Sequence, residues 1–257
     1  MNALLAADEP PAVLAERRHG TSPFVITVDH ASARIPRCLG DLGLPASELQ
    51  RHIAWDIGSL GVARRVAEAL DAPLVAQNYS RLVIDCNRQP GVATSIPTMA
   101  ESLRVPGNID LNEAHVAARR SEIFEPYHAY LSELLDERRA NNERTILIGQ
   151  HTMTDFLQGA RRKMHASVLY YRDRGFSGIV LDVLRRDSEL LIAENEPYVV
   201  DETHYTILQH AEARDLPYVE IEIRQDLVSD ERGQSVWARR IGAALQAAER
   251  EFHRSAA

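Results

Sequence analysis

The chain has 257 residues, enough for one large α/β domain with a substantial core or for two small ones. Its net charge of -8 argues against a phosphate-backbone binder, and the short basic run Arg161, Arg162, Lys163 lacks the interleaved aromatics of a nucleic-acid patch and reads as a solvated loop. Two cysteines, Cys38 and Cys86, give no disulfide framework, no apolar run reaches membrane-spanning length, and the signal-peptide pattern is missing, so a cytoplasmic protein is expected.

In chain order, residues 1–22, with Pro10, Pro11 and mixed charge, read as a loosely attached arm, and residues 23–257 as a single domain. "PFVITVD" reads as a buried strand that ends in Asp29 and His30. "LPASELQRHIAWD" has Ser47 and Glu48 near a helix start, and "IGSLGVARRVAEALD" places Leu60, Val62, Ala63, Val66, Ala67 and Leu70 at helical spacing. "APLVAQN" and "RLVIDCN" read as short strands. Between Arg88 and Ile109 runs a long proline-containing segment, and a connection of that length is usually functional or mobile. "NEAHVAARRSEIFEPYHAYLSELLDERRAN" reads as a long helix, kinked near Pro126. "TILIGQ" and "ASVLYY" read as strands, "SGIVLDVLRRDSELL" and "HYTILQHAEARD" as helices. "YVEIEIR" reads as a strand and "SVWARRIGAALQAAEREFH" as an amphipathic helix. The alternation predicts an α/β fold with a mixed central sheet flanked by helices.

Ligands of such sheets collect beyond the carboxyl ends of the strands. Applied here, that rule gathers His30, His151, the pair Asn87 and Arg88, and Glu222 at one rim, with Asp56 joining them from the start of a helix. Two imidazoles and a carboxylate are a standard ligand set for a catalytic zinc with one position open to water. A nearby carboxylate can take and return the proton. Taken singly, each residue has a plainer reading. A histidine at a strand end is more often a hydrogen-bonded loop residue, and an acid before a helix is usually an N-cap. His52 and Asp56 are spaced i,i+4, so His52 rivals Asp56 as a ligand. Arg81, Asp85, Asn87 and Arg88 can form a carboxylate clamp or a strand-end ion-pair cluster, with an arginine the expected partner of Asp85. Glu220 and Glu222 share one strand face, as a base and its partner or as a solvent-facing edge. His115 and His128 read as surface or packing residues, and His165, His204 and His210 have no supporting pattern. Asn195, Pro197 and Tyr198 form a turn-like loop that can line a pocket.

In sequence order, "VDHASARIP", "HIAWDIGSLGVA", "SRLVIDCNRQPG", "IGQHTMTD", "NEPYVVDETHYTILQHA" and "YVEIEIRQDLV" resemble the N-formylglutamate amidohydrolase family over about residues 24 to 228. That family is similar in fold to zinc carboxypeptidases and to the aspartoacylase and succinylglutamate desuccinylase group. The resemblance implies a zinc-carboxypeptidase-like (phosphorylase/hydrolase-like) architecture. It implies that Asn87 and Arg88 grip a substrate carboxylate, that Arg81 lies near the scissile carbonyl, and that Glu222 is the catalytic glutamate. Carboxypeptidase-type relatives carry a glutamate three residues after the first histidine. Here that position is Ala33, and Asp56 is the substitute ligand beside His30 and His151, with His52 still open.

The expectation is therefore a zinc-dependent hydrolase of linear amide bonds. Its favoured substrate is N-formyl-L-glutamate, cleaved to formate and glutamate as in histidine breakdown. Iron, cobalt or manganese would also suit such a site. Another N-acyl amino acid or small amide is the nearer alternative, and a non-catalytic binding protein the more distant one. The partner expected is a small molecule, neither a nucleic acid nor a membrane, and the sequence leaves the oligomeric state open.

Overall fold

The computed structural model describes residues 3–157 and 159–255. Seven strands build the central sheet: β1 (Val13–Glu16), β2 (Phe24–Val28), β3 (Leu74–Gln77), β4 (Ile146–Met153), β5 (Ala166–Leu169), β6 (Ile192–Glu194) and β7 (Tyr218–Arg224). Their order is β1-β3-β2-β4-β7-β5-β6. The inner strands β3, β2, β4 and β7 run parallel, while β1 at one edge and β5 with β6 at the other run the opposite way. The sheet is thus mixed, as expected.

Helices cover both faces. On one side α2 (Ser59–Leu70), α5 (Gly175–Arg185) and α7 (Glu231–Ser255) pack on the sheet. Val62, Val66, Val180, Trp237 and Leu245 meet Val219, Ile221 and Ile223 of β7 there. On the other side lie α3 (Glu113–Arg119), α4 (Glu125–Ala140) and α6 (Thr206–His210), whose core includes Phe124, Tyr127, Leu131 and Ile207. Fully burying one such aliphatic side chain is worth about 2 kcal/mol. Alternation along β7 sends its apolar residues to the first layer and leaves Glu220 and Glu222 on the second, where the site forms.

Four departures from the sequence reading have identifiable causes. Residues 13–16, inside the expected arm, pair antiparallel with β3 and close that edge of the sheet. "RLVIDCN" is a buried run of turns, not a strand. Its carbonyls are taken by side chains where a strand would use a neighbour: Asn108 donates to Leu82, Arg119 to Val83 and His128 to Cys86. The helix expected over 44–56 shrinks to α1 (Ala46–Leu49), so His52 and Asp56 do not share a helix face. At the kink expected near Pro126 there is a π-helical turn over Arg120–Phe124, which ends two residues before the proline that lacks an N–H. The 89–109 segment is packed: it carries the hairpin Met99–Ala100 with Leu103–Arg104, and Ser95 accepts the Asp85 N–H at 2.8 Å.

Candidate active site

His30 lies just beyond β2, and His151 is inside β4, which continues past the expected strand end to Met153. Glu222 on β7 is the direct lateral neighbour of His151, and Glu220 is the neighbour of Gly149. A β-carbon at Gly149 would come within 3.3 Å of the Glu220 side chain, so the glycine leaves that carboxylate its room. Asp56 enters from the turn before α2. Its carboxylate does not cap that helix: the N-cap is Gly58, and Ser59 bonds the Asp56 backbone carbonyl.

These elements bring His30, Asp56 and His151 together, each buried, with one donor atom from each within 4.8 Å of the others. Asp56 Oδ2 is the hub, 2.9 Å from His151 Nδ1 and 3.4 Å from His30 Nδ1. The far nitrogen of each ring faces a second carboxylate. His30 Nε2 is 2.8 Å from Asp85 Oδ1, and His151 Nε2 is 3.4 Å from Asp29 Oδ2. With an ion held at the centre, His30 would keep its proton on Nε2, donated to Asp85, and turn its Nδ1 lone pair inward. Metal-ligating histidines are typically oriented by such outer carboxylates. Asp29 is itself fixed, since Tyr127 and Thr206 donate hydroxyls to its Oδ1 at 2.7 and 2.9 Å. Burial works to raise its pKa, but the interactions with His151, His30 and Tyr127 together outweigh that and hold it at about 2.

The donor set fits a divalent ion. Asp29, Asp56, Asp85, Glu220 and Glu222 are all buried around these two rings, and the guanidinium of Arg81 is the cation that pairs with Asp56 there. Burial works to lower His151, yet Glu220, Asp29 and Asp56 raise it well above its ordinary value, so the cluster draws positive charge to its centre. Burial also pushes the Glu222 carboxyl up to about 7 against the pull of His151, with Asp56 and Glu220 adding to the rise. Glu222 Oε2 has no hydrogen-bond partner among the described residues. The solvent-edge reading of Glu220 and Glu222 fails because β7 is central and both are at most 8% exposed.

A cavity of about 570 Å³ opens over this group and reaches Arg81, Asn87, Arg88 and Glu222. Asn87 Oδ1 accepts the N–H groups of Tyr205 and Thr206, which leaves its amide N–H₂ as the group to offer a ligand. Arg88 bonds the Asn87 carbonyl at 2.8 Å and makes no ion pair among the described residues. The expected arginine partner of Asp85 gives way to His30 and the Asn87 N–H. His52 lines the cavity but pairs with Glu101 at 3.0 Å and stays outside the metal-ligand group. Sequence reasoning gave no role to His204 or Thr94, which also line the cavity, and nothing in their spacing marks them. Pro197 and Tyr198 do line it. Arg162, read as part of a solvated run, is buried, with its Nη2 2.7 Å from the Tyr198 hydroxyl. His128 and His210 form a buried pair outside the metal-ligand group, with His128 Nδ1 2.9 Å from His210 Nε2.

A model of N-formylglutamate amidohydrolases matches residues 22–229. The chain belongs to the N-formylglutamate amidohydrolase family. It is accordingly an amidohydrolase, acting on amide bonds. Among solved structures it is similar to gene product Atu2144 from Agrobacterium tumefaciens, at 33% identity and TM-score 0.94, over 97% of this chain and 99% of that one. The fold is shared with N-formylglutamate amidohydrolase from Ralstonia eutropha JMP134, at 20% identity and TM-score 0.74, over 96% and 100% of the two chains. No curated protein matches the chain in sequence.

Proposed function

We propose that the protein is a metal-dependent amidohydrolase of N-acyl amino acids, with N-formyl-L-glutamate as its favoured substrate. The observation that carries this reading is the convergence of His30, Asp56 and His151 on one centre beneath a cavity that also holds Glu222 and the pair Asn87 and Arg88. His30, Asp56 and His151 would hold one divalent ion. Zinc is the favoured occupant, and iron, cobalt or manganese suit the same donors. Such an ion supplies Lewis acidity and makes water acidic enough to attack at neutral pH.

The chain's own residues do the rest. Glu222 takes a proton from the attacking water and passes it to the departing amine nitrogen, so the amide and one water become formate and glutamate. Arg81, which lines the cavity with Nε unpartnered, stabilises negative charge on the acyl oxygen. Asn87 and Arg88 hold the α-carboxylate. Residues 23–257 serve as one catalytic domain, in a cytoplasmic enzyme of histidine breakdown.

A second reading, hydrolysis of a larger N-acyl group, is favoured by the cavity's apolar wall of Met153, Leu169 and Val199, more than a formyl hydrogen requires. Product release from formyl, acetyl and succinyl amino acids decides between them. Formate from N-formyl-L-glutamate as the fastest reaction supports the first reading, and faster acetate or succinate release supports the second. Tight binding of every compound with no product would make the protein a binder and overturn both.

A further inference from the structure

Arg162 poses a problem that the proposed chemistry leaves unsolved. It is 7% exposed, makes no ion pair among the described residues, and has Nε and Nη1 buried without partners. Burying a guanidinium without a carboxylate is costly. Its backbone is held firmly: the Arg162 N–H donates to the Asp155 carbonyl at 2.8 Å, and the Arg162 carbonyl accepts from Arg224 at 3.0 Å. Arg224 belongs to β7, the strand that carries Glu222, so this arginine is located relative to the active-site strand.

What Arg162 does touch is Tyr198. Its Nη2 is 2.7 Å from the tyrosine oxygen, and its Cζ is 4.9 Å from the ring centroid. A guanidinium only donates, so the phenol oxygen accepts and must send its own proton elsewhere. A phenol polarised by an adjacent cation is a stronger donor. Tyr198 lines the same cavity as Glu222 and Arg81.

We propose that Tyr198 is a further catalytic residue, whose hydroxyl donates a hydrogen bond to the acyl oxygen as that oxygen gains negative charge, and that Arg162 is the positioning residue that aims and polarises it. No proton is transferred, because the O–H bond stays intact while the oxygen's charge is shared with it. A merely structural reading makes the pair a cation–π contact that pins the 195–203 loop. The two readings differ in what removal of the hydroxyl alone would do.

The inference rests on the amidohydrolase reading above, so wild type is assayed first with the substrate it turns over best. Tyr198→Phe keeps the ring face against Arg162 while losing the bond from Nη2, and is expected to lower kcat by roughly 100-fold, as for loss of one oxyanion donor, with KM within about threefold. Arg162→Met is expected to lower kcat by less, and the double variant to be no slower than Tyr198→Phe, because Arg162 acts through the hydroxyl. Tyr198→Phe within about threefold of wild-type kcat, or independent losses that multiply in the double variant, would overturn the inference while leaving the functional reading intact. A wild type that hydrolyses no N-acyl amino acid would overturn both.

Discussion

Acid should destabilise this fold through one buried pair, His128 and His210. The Cys86 carbonyl lies 2.9 Å from His128 Nε2 and can only accept, so that nitrogen carries the proton. His128 Nδ1 is then the acceptor for the His210 Nε2–H, which leaves no place for a second proton between the rings. Burial pushes His128 down to about 4 and His210, which also feels His128 and Arg214, down to about 3. Both folded values lie below the ordinary imidazole value of about 6.5, so the unfolded chain binds protons first as the pH falls. Stability from the pair is complete above that value and is lost as pH drops toward the folded values. Between pH 7 and pH 5 each histidine costs about 2 kcal/mol, from the logarithm of the unfolded-to-folded protonation ratio. Other buried groups, Glu222 among them, also titrate over this range, so the test is a difference. His210→Gln keeps a donor toward His128 Nδ1 and removes one titration. Urea denaturation of both proteins at pH 7 and pH 5 is expected to show the variant losing about 2 kcal/mol less than wild type. Equal losses within about 0.5 kcal/mol would refute the reasoning.

Other outcomes follow from the site. Asp29→Asn, measured by competition with a chromophoric chelator, is expected to weaken metal binding 10- to 100-fold (an order-of-magnitude value), because His151 loses the carboxylate that orients it. Glu222→Gln should keep its metal while losing roughly 100-fold or more of kcat, checked by elemental analysis beside the steady-state assay. Arg88→Met should raise KM at least about tenfold with a smaller change in kcat, if its guanidinium holds the substrate carboxylate throughout the reaction.

The site was more legible in the sequence than the local structure around it. His30, His151 and Glu222 stand at or near the ends of strongly apolar runs, and the rule that ligands gather at carboxyl ends of parallel strands places them at one rim. Asp56 and His52 were indistinguishable by spacing, and only the break of the helix after Leu49 separates them. Glu220 and Glu222 read either as a base with its partner or as a polar edge, because alternation cannot reveal that a strand is central. "RLVIDCN" has strand composition, yet the donors that hold its carbonyls, Asn108, Arg119 and His128, are distant in sequence. The burial of Arg162 was hidden for the same reason, since its anchors on Asp155 and Arg224 and its partner Tyr198 become neighbours only through the fold.

Metal content and turnover measured on one sample test the central claim most directly. Purified protein would be analysed for bound metals, and formate release from N-formyl-L-glutamate followed before chelation, after it and after metal is restored. The expected result is close to one equivalent of a divalent metal per chain at the His30, Asp56 and His151 group, with turnover lost on chelation and recovered on reloading. Undiminished turnover by metal-free protein, matched by His30→Ala and Glu222→Ala, would contradict the account.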